Sequence, residues 1–277
     1  MPFQIHSDFR HTTHVVHGPK SIARLPQFFP GKAKVLIVTD KGLVQAGIAE
    51  KVIAVLNDNN IPHALYDGAL PNPPAACVHA GQRLYAKEKC NALLALGGGS
   101  PMDVAKMIGV VANNGGRINE YLGSGNVKND IPPLVCIPTT YGTGSEVTPF
   151  AVLTNPKTQN KDPVISAKIS PQAGILDPEL SVGLPAALGG PTGMDALTHS
   201  IESYTNLLAG PITDGLALQA IQLIGENLRL ACANDYELAA TENMLVASML
   251  AGMAFAQTHL GNVHAMSHPV GAQFGVH

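Results

Sequence analysis

The sequence predicts an α/β N-terminal domain with a mostly parallel sheet, followed by an all-α domain. Two observations support this fold class. Continuous apolar runs, typical of strands buried on both faces, alternate with helical segments through the first half of the chain. After Asp177 these runs disappear, and a connector rich in proline and glycine leads into helical segments. We therefore place the domain boundary between an α/β domain at residues 1–183 and a helical domain at residues 184–277.

Each predicted element follows from a local pattern. Apolar runs predict strands at residues 35–39, 92–96 and 134–137. The helices predicted in the first half are 42–57, 75–89 and 101–111, the last with Ser100 as its N-cap and Pro101 at its first position. The helices predicted in the second half are 192–206, 214–232 and 236–258. Repeated alternation of strand and helix indicates a parallel sheet covered by helices.

The composition argues against several classes of protein. The 277 residues carry a formal net charge of −3 and no basic stripe, so we predict no nucleic-acid partner. A hydrophobic content of 45% is enough for a core. No charged-then-apolar leader opens the chain, and its longest uncharged apolar stretch, 244–256, is shorter than the roughly 18 residues that a membrane span needs. We therefore predict a cytoplasmic protein without a membrane partner, and the charged content of only 13% favours a homo-oligomer.

A glycine-rich turn follows the second predicted strand. Gly97, Gly98 and Gly99 let a backbone approach a ligand closely, and the helix that follows offers free N–H donors and a partial positive charge. The arrangement suits a pyrophosphate. It is not the G-x-G-x-x-G fingerprint, because Met102 fills the last glycine position. The alternative interpretation is a tight turn between strand and helix that binds nothing.

Two further polar features lie at the same predicted sheet edge, where open α/β sheets bind ligands. A loop after the third strand places the hydroxyls of Thr139, Thr140, Thr143 and Ser145 among glycines, which suits phosphate or ribose oxygens. The alternative is an ordinary solvated loop. Asp40, directly after the first strand, could accept hydrogen bonds from both ribose hydroxyls of an adenosine, or could cap the next helix.

Acidic and histidine side chains recur at helical spacing in the second half. Asp195 and His199 are four residues apart, as are His264 and His268, so each pair projects from one helix face. One carboxylate and imidazoles from two helices suit Fe²⁺, Zn²⁺ or Mn²⁺. The mostly apolar neighbours favour this interpretation, because a buried carboxylate needs a partner or a metal. The alternative is a surface ion pair or a helix-stabilising contact.

Four stretches of the chain together resemble the iron-containing (group III) alcohol dehydrogenases. They occur in the order found in that family and cover nearly the whole chain. The stretches are 97–103 (GGGSPMD), 138–148 (PTTYGTGSEVT), 192–199 (TGMDALTH) and 264–269 (HAMSHP).

The resemblance implies a Rossmann-like dinucleotide-binding domain, a helical metal-binding domain and a cleft between them. It implies hydride transfer between a small primary alcohol and NAD, giving the aldehyde, with a divalent metal, Fe²⁺ or alternatively Zn²⁺. The implied metal ligands are Asp195, His199 and His264, and His268 is implied as a catalytic proton relay. Asp40 is implied to hold the adenosine ribose and to select NAD over NADP. The implied cofactor-binding residues are Asp40, Asn72, Gly97, Gly98, Gly99, Ser100, Asp103, Thr139, Thr140, Thr143, Thr148 and Lys161.

The chain departs from the family pattern in two places. It ends at His277, one residue before the histidine that the family uses as its fourth ligand, so we expect a helical domain that is truncated at its C-terminus. Gly189-Gly190-Pro191 also replaces a more alanine-rich segment before the first metal-binding helix. Two alternatives remain at this point. One is a zinc-dependent relative on the same scaffold, a glycerol dehydrogenase or a dehydroquinate-synthase-like enzyme, and the other is a non-catalytic NAD-binding remnant.

Overall fold

The structure is a computed structural model that describes residues 8–154, 161–233 and 237–274. Within these ranges, strands and helices alternate through the first half and helices alone form the second. In chain order the elements are β1 (His14–His17), β2 (Val35–Val38), α1 (Lys41–Gln45), α2 (Ile48–Asp58), β3 (His63–Tyr66), α3 (Ala75–Lys87), β4 (Ala92–Gly97), α4 (Gly99–Asn114), β5 (Gly123–Ser124), β6 (Leu134–Pro138), β7 (Phe150–Thr154), β8 (Lys161–Ile165), β9 (Ala173–Leu176), α5 (Ala186–Tyr204), α6 (Pro211–Ala233), α7 (Leu238–Thr258) and α8 (Asn262–Phe274).

Six strands form the main sheet in the order β1-β9-β6-β4-β2-β3, and the pairings within it are parallel. The predicted α/β fold with a parallel sheet followed by helices is therefore confirmed. The chain runs from β2 outward to β3 and then returns to the other side of β2 as β4. The connections thus diverge at the carboxyl ends of β2 and β4, and a divergence of this kind creates the crevice in which open α/β sheets bind ligands.

A second sheet of three strands joins β5, β8 and β7. β8 runs antiparallel to β7 and pairs Phe150 with Ile165 and Thr154 with Lys161. The sequence patterns did not predict this sheet. β5 contains only two residues, and Pro163 interrupts the β8 pattern, because a proline lacks the backbone donor that strand pairing uses.

Both faces of the main sheet are buried. On one face Leu36 and Leu93 pack with residues of α3 and α4. On the other face Ile37 and Leu94 pack with residues of α2 and of the 3-10 helix Ser21–Phe28. Because side chains alternate between the two faces along a strand, a sheet covered on both sides needs continuous apolar runs of the kind found in this sequence.

A third core cluster joins the helical half to the sheet. Tyr141 and Val147, from the loop after β6, are buried with Ala196 of α5, Ile224 of α6 and Met244 of α7. The loop that carries the predicted cofactor threonines is therefore packed against α5, the helix that carries Asp195 and His199.

Helix α7 is long and apolar enough to cross a membrane when judged by length and mean hydropathy alone. In this fold 61% of its most apolar 18-residue window is buried inside the protein. Burial of this kind is what the central helix of a packed helical layer shows.

The predicted helices of the first half differ from the observed ones in their bounds: 75–89 is Ala75–Lys87, and 101–111 is Gly99–Asn114. The helix predicted at 42–57 is two helices, α1 and α2, because Gly47 adopts a left-handed backbone (φ 72°) that breaks the helical path between them. Helix α4 begins at Gly99, so Gly98 and not Ser100 is its N-cap. The three glycines thus join strand to helix directly, with Gly97 as the last residue of β4 and Gly99 as the first of α4.

The start of α5 also differs from the prediction. The segment interpreted as a connector is helical from Ala186, so Gly189, Gly190 and Pro191 lie inside α5. Pro191 removes the backbone donor that would reach the carbonyl oxygen of Ala187, and the Thr192 hydroxyl donates to the carbonyl oxygen of the next residue, Leu188, at 2.9 Å.

Candidate active site

The glycine turn, residues 97–99, and the loop after β6, residues 139–148, lie against each other at the carboxyl edge of the sheet. We call the second segment the threonine loop. β4 and β6 are neighbours, and the Thr139 N–H donates to the carbonyl oxygen of Gly97 at 3.0 Å. A Cβ atom at Gly98 would lie 3.0 Å from Thr140 Oγ1, and one at Gly99 would lie 2.9 Å from Thr143 Cγ2. The structure therefore brings these predicted cofactor residues together, and glycine leaves room for the threonine side chains.

Asp40 lies at the same carboxyl edge of the sheet, after β2, the strand next to β4. Val38 of β2 pairs with Ala95 of β4, so Asp40 and Gly97 follow at equivalent distances beyond that pairing. Asp40 is the N-cap of α1, and its Oδ1 accepts a hydrogen bond from the Leu43 N–H at 3.1 Å. The capping alternative is therefore confirmed. A carboxylate has two oxygens, and a ribose contact through the other one stays a prediction.

Asp103 connects α4 to the threonine loop and to the smaller sheet. Its Oδ1 accepts a hydrogen bond from the Ser145 hydroxyl at 2.9 Å, and its Oδ2 accepts one from the Val152 N–H at 3.0 Å. These contacts give Asp103 a bracing role, and the predicted contact with a cofactor stays a prediction.

Lys106 is a second, fully buried brace on α4. Its Nζ lies 2.7 Å from the carbonyl oxygen of Ser145, 2.9 Å from the Ser145 hydroxyl, 3.0 Å from the carbonyl oxygen of Thr148 and 2.6 Å from that of Phe150. Burial lowers the pKa of Lys106, and the carboxylate of Asp103 opposes that effect. The sequence analysis missed this residue, because a single lysine within an apolar helix gives no local signal.

Glu146 lies in the same loop with only 2% of its surface exposed. Burial raises its pKa to about 7, although its own backbone hydrogen bond and the charge of Lys106 oppose this rise. The loop that holds the predicted cofactor threonines is thus built around two buried ionisable groups, Lys106 and Glu146.

Asn72 and Lys161 come near each other through β7. Asn72 is exposed in the loop before α3, and the carbonyl oxygen of the next residue, Pro73, accepts a hydrogen bond from the Thr154 N–H at 3.0 Å. Thr154 in turn pairs with Lys161. The side chains of Lys161 and His268 lie outside the described part of the structure, as does the whole of His277.

Asp195, His199 and His264 converge on one point. Their candidate ligand atoms all lie within 4.8 Å of one another. The distance from Asp195 Oδ1 is 3.7 Å to His199 Nε2 and 3.4 Å to His264 Nε2. Asp195 and His199 lie on α5 and His264 lies on α8, so two helices supply the cluster. The imidazoles are buried, whereas the Asp195 side chain is 40% exposed and opens the cluster to solvent.

Each imidazole is held from behind by an acceptor. His199 Nδ1 lies 3.1 Å from the carbonyl oxygen of Gly142, which can only accept, so Nδ1 carries the proton. His264 Nδ1 lies 2.5 Å from a carboxylate oxygen of Glu202. Both Nε2 atoms face Asp195, and each can offer a lone pair to a cation once the proton that His264 shares with Asp195 has left. Lone pairs and a carboxylate oxygen in this arrangement fit a divalent metal ion.

The pKa shifts in the cluster follow from burial and from the neighbouring carboxylates. Burial lowers the pKa of His199, against the opposing charge of Asp195. Burial acts in the same direction on His264, but hydrogen bonds to Asp195 and Glu202 outweigh it and raise the pKa. For Glu202 burial acts to raise the pKa, and hydrogen bonds from the Gly261 N–H and from His264 lower it overall.

Aromatic side chains cover the buried side of the cluster. The ring of Phe255 lies 4.4 Å from that of His199, and the ring of His264 stacks on His199 at 4.5 Å. Phe150 stacks on Phe255 at 5.9 Å. The wall is therefore apolar, and it excludes water from one side of the imidazoles.

Comparison with known protein families accounts for nearly the whole chain. The profile described as "Iron-containing alcohol dehydrogenase" matches residues 12–178, and that described as "Fe-containing alcohol dehydrogenase family, C-terminal" matches residues 191–277. The chain belongs to the iron-containing alcohol dehydrogenase family. The resemblance inferred from the four sequence stretches is thereby confirmed.

Two curated relatives show how close this iron-containing alcohol dehydrogenase is to characterised members. The chain is 44% identical over 262 residues to a 1,3-propanediol dehydrogenase of Klebsiella pneumoniae. This match covers 93% of this chain and 67% of the relative. It is 46% identical over 244 residues to an NAD-dependent methanol dehydrogenase of Bacillus methanolicus, covering 88% of this chain and 64% of the relative. The chain thus spans about two thirds of the length of these relatives.

Solved structures agree with the fold. A 1,3-propanediol oxidoreductase superposes with a TM-score of 0.94 at 42% identity, covering 98% of this chain and 72% of that one. A sulfoacetaldehyde reductase from Bifidobacterium kashiwanohense, solved in complex with NAD⁺, superposes with a TM-score of 0.90 at 30% identity, covering 98% of this chain and 73% of that one.

These comparisons decide among the alternatives left open by the sequence. Both matching profiles describe iron-containing alcohol dehydrogenases, so a zinc-dependent relative and a non-catalytic remnant are not favoured. The boundary at residues 183 and 184 stays a prediction. The sequence analysis missed three residues that shape the site: Gly142, Glu202 and Lys106.

Proposed function

We propose that this chain catalyses reversible hydride transfer between a small primary alcohol and NAD, giving the aldehyde, with Fe²⁺ held by Asp195, His199 and His264. One observation supports this most strongly. The hydrogen bond from His199 Nδ1 to the carbonyl oxygen of Gly142 joins the candidate metal ligands directly to the threonine loop at the sheet edge. The metal and the nucleotide would therefore be neighbours.

Several residues of this chain would bind the cofactor. The glycine turn offers backbone N–H groups at the start of α4 to a pyrophosphate, and Asp40 offers a carboxylate oxygen to the ribose hydroxyls. Thr139, Thr140, Thr143 and Thr148 would line the cofactor. When bound, the metal supplies a Lewis acid that lowers the pKa of an alcohol oxygen, and NAD supplies the hydride acceptor.

We propose His268 as the proton relay, because it lies one helical turn beyond His264 on α8. The relay residue would accept the proton that the alcohol loses and pass it to solvent. Asp195 lies on the solvent-exposed side of the cluster, which gives the proton a route out.

The proposed substrate class rests on size and polarity. The relatives named above act on 1,3-propanediol and methanol. In this chain Phe150, which is only partly buried and stacks on Phe255 beside His199, offers an apolar surface to the carbon end of such a small molecule.

The experiment loads the 277-residue chain with Fe²⁺ under anaerobic conditions and follows NADH formation from a series of primary alcohols. We expect turnover by the unaltered chain. Asp195→Ala and His199→Ala should lower it by on the order of a hundredfold or more and abolish Fe²⁺ binding, because each removes one ligand. His79→Ala, a histidine on α3 away from the cluster, serves as the control. NAD binding without turnover, or near-normal turnover in either ligand variant, would contradict the proposal.

We also propose a cytoplasmic homo-oligomer. Large apolar side chains lie on the surface of the helical half, among them Leu207 with 82% of its surface exposed. Exposed apolar side chains that lie together mark contact surfaces between proteins.

A further inference from the structure

We propose that Glu202 is a positioning residue for the metal centre, which fixes both the ring orientation of His264 and the start of α8. This inference rests on the proposed function, because it assigns Glu202 a role toward the metal that Asp195, His199 and His264 would bind. Glu202 follows Asp195 by seven residues on α5, so the two carboxylates lie on the same helix face, two turns apart.

The contacts of Glu202 all point to the beginning of α8. Its Oε1 accepts a hydrogen bond from the Val263 N–H at 2.7 Å, and its Oε2 accepts one from the Gly261 N–H at 3.0 Å. Its Oε2 also lies 2.5 Å from His264 Nδ1. Glu202 itself is only 8% exposed, so water competes little for these bonds.

The backbone contacts matter because apolar packing holds α8 only weakly. Val263, Met266, Val270 and Phe274 are 50%, 63%, 46% and 72% exposed. The first N–H groups of a helix have no partner within the helix, and a carboxylate that accepts from them also interacts favourably with the positive end of the helix dipole. Glu202 thus supplies from α5 the cap that fixes α8 beside the cluster.

The imidazole contact decides which nitrogen faces the metal. The Glu202 carboxylate accepts the Nδ1 proton of His264, and Nε2 is then the nitrogen that faces Asp195 and the proposed metal. A carboxylate behind a ligating histidine also makes the other nitrogen a stronger ligand. For His199 the carbonyl oxygen of Gly142 has the same orienting role without the charge.

The test compares Glu202→Gln with the unaltered chain by anaerobic calorimetric titration with Fe²⁺. Glu202→Gln keeps the size and one acceptor oxygen but removes the charge. We expect its affinity for Fe²⁺ to fall by about 10- to 100-fold, the effect typical of removing such a partner. Glu226→Gln, an exposed residue of α6, removes an equal charge and should leave the affinity unchanged.

A second measurement separates positioning from general stability. At a pH high enough for metal-free His264 to be neutral, its ¹⁵N shifts should report the proton on Nδ1, and Glu202→Gln should shift the population toward the Nε2 tautomer, whose proton Asp195 accepts. An affinity within about twofold of the unaltered chain, together with an unchanged tautomer, would overturn the inference. If Asp195→Ala also bound Fe²⁺ normally, the proposed function would fail as well. If Asp195→Ala lost Fe²⁺ binding while Glu202→Gln bound Fe²⁺ normally, only the role of Glu202 would be overturned.

Discussion

The two imidazoles of the candidate metal site owe their orientation to acceptors on the far side of each ring. His199 is held by the carbonyl oxygen of Gly142 and His264 by Glu202. Neither acceptor belongs to the spacing pattern that identified the histidines. A metal site thus depends on the ligands and on the residues that orient them, and only the ligands have a recognisable spacing in the sequence.

Glu146 predicts a pH dependence of stability that can be measured at one residue. Its pKa is about 7 in the folded chain, above the ordinary value of 4.5. The folded state therefore keeps the proton over a range in which the unfolded state has lost it, and Glu146 makes the protein less stable as the pH rises from about 4.5 to about 7. Glu146→Gln should remove this effect and stabilise the chain at pH 8 by on the order of 3 kcal/mol, with little change at pH 4.

The measurement is urea unfolding of both chains across this pH range. Glu50→Gln, an exposed residue of α2, is the matched control and should track the unaltered chain at every pH. A stability difference between Glu146→Gln and the unaltered chain that does not change with pH would contradict the prediction.

Asp40 predicts a change in coenzyme preference. Asp40→Asn keeps an oxygen that can accept from the Leu43 N–H and cap α1, but it removes the charge that repels a 2′-phosphate. The ratio of kcat/KM for NADP to that for NAD should rise by about tenfold or more. An unchanged ratio would show that Asp40 serves only as a cap. Asp58→Asn, an exposed residue at the end of α2, controls for the change in net charge.

Residue patterns predicted some members of the site and not others, for physical reasons. Asp195 and His199 were found because their four-residue spacing puts them on one helix face. Lys106 and Glu202 were not found, because most of their partners are backbone atoms far away in the sequence. A backbone oxygen or N–H is present at every residue, so nothing in the sequence indicates which one a buried charge will meet.

Lys106 of α4 connects this helix to the threonine loop through hydrogen bonds. Three carbonyl oxygens and a hydroxyl surround its Nζ. Lys106→Met keeps the apolar stem but leaves the three buried carbonyl oxygens without this donor. We expect the free energy of unfolding to fall by about 3 kcal/mol and NAD affinity to fall with it, because the loop loses its anchor.

Chemical denaturation and NAD titration measure the two effects of Lys106→Met. Lys87→Met, at the exposed end of α3, is the matched control and should change stability by no more than about 0.5 kcal/mol. A Lys106→Met chain with unaltered stability and NAD affinity would mean that the loop is held without this contact.

In the main sheet, the central strands were predicted, whereas the edge strands and β9, which is equally buried but contains Gly174, were not. β2, β4 and β6 are buried on both faces and appear as continuous apolar runs. β3 lies at the edge of the sheet, and its residues His63 to Tyr66 are only partly buried, so no such run marks it. Edge strands need less apolar surface, which makes them hard to recognise from sequence alone.

Across the whole molecule, four stretches that are distant in sequence meet at one edge of the sheet. The turn after β4 touches the loop after β6, that loop is hydrogen-bonded to α5, and α5 is joined to α8 through Glu202. This chain of contacts explains why the four stretches together identified the family although each one alone is a common pattern. It also connects the candidate nucleotide and metal sites without a flexible link.

The central claim is that Asp195, His199 and His264 share one iron ion beside the nucleotide loop. The most direct measurement is anomalous X-ray diffraction, on both sides of the iron absorption edge, from crystals of the Fe²⁺-loaded chain. We predict one iron peak at bonding distance, about 2.1 Å, from an Asp195 carboxylate oxygen and from Nε2 of both histidines. An iron peak at other residues, or none at these three in a chain that binds Fe²⁺ in solution, would contradict the account.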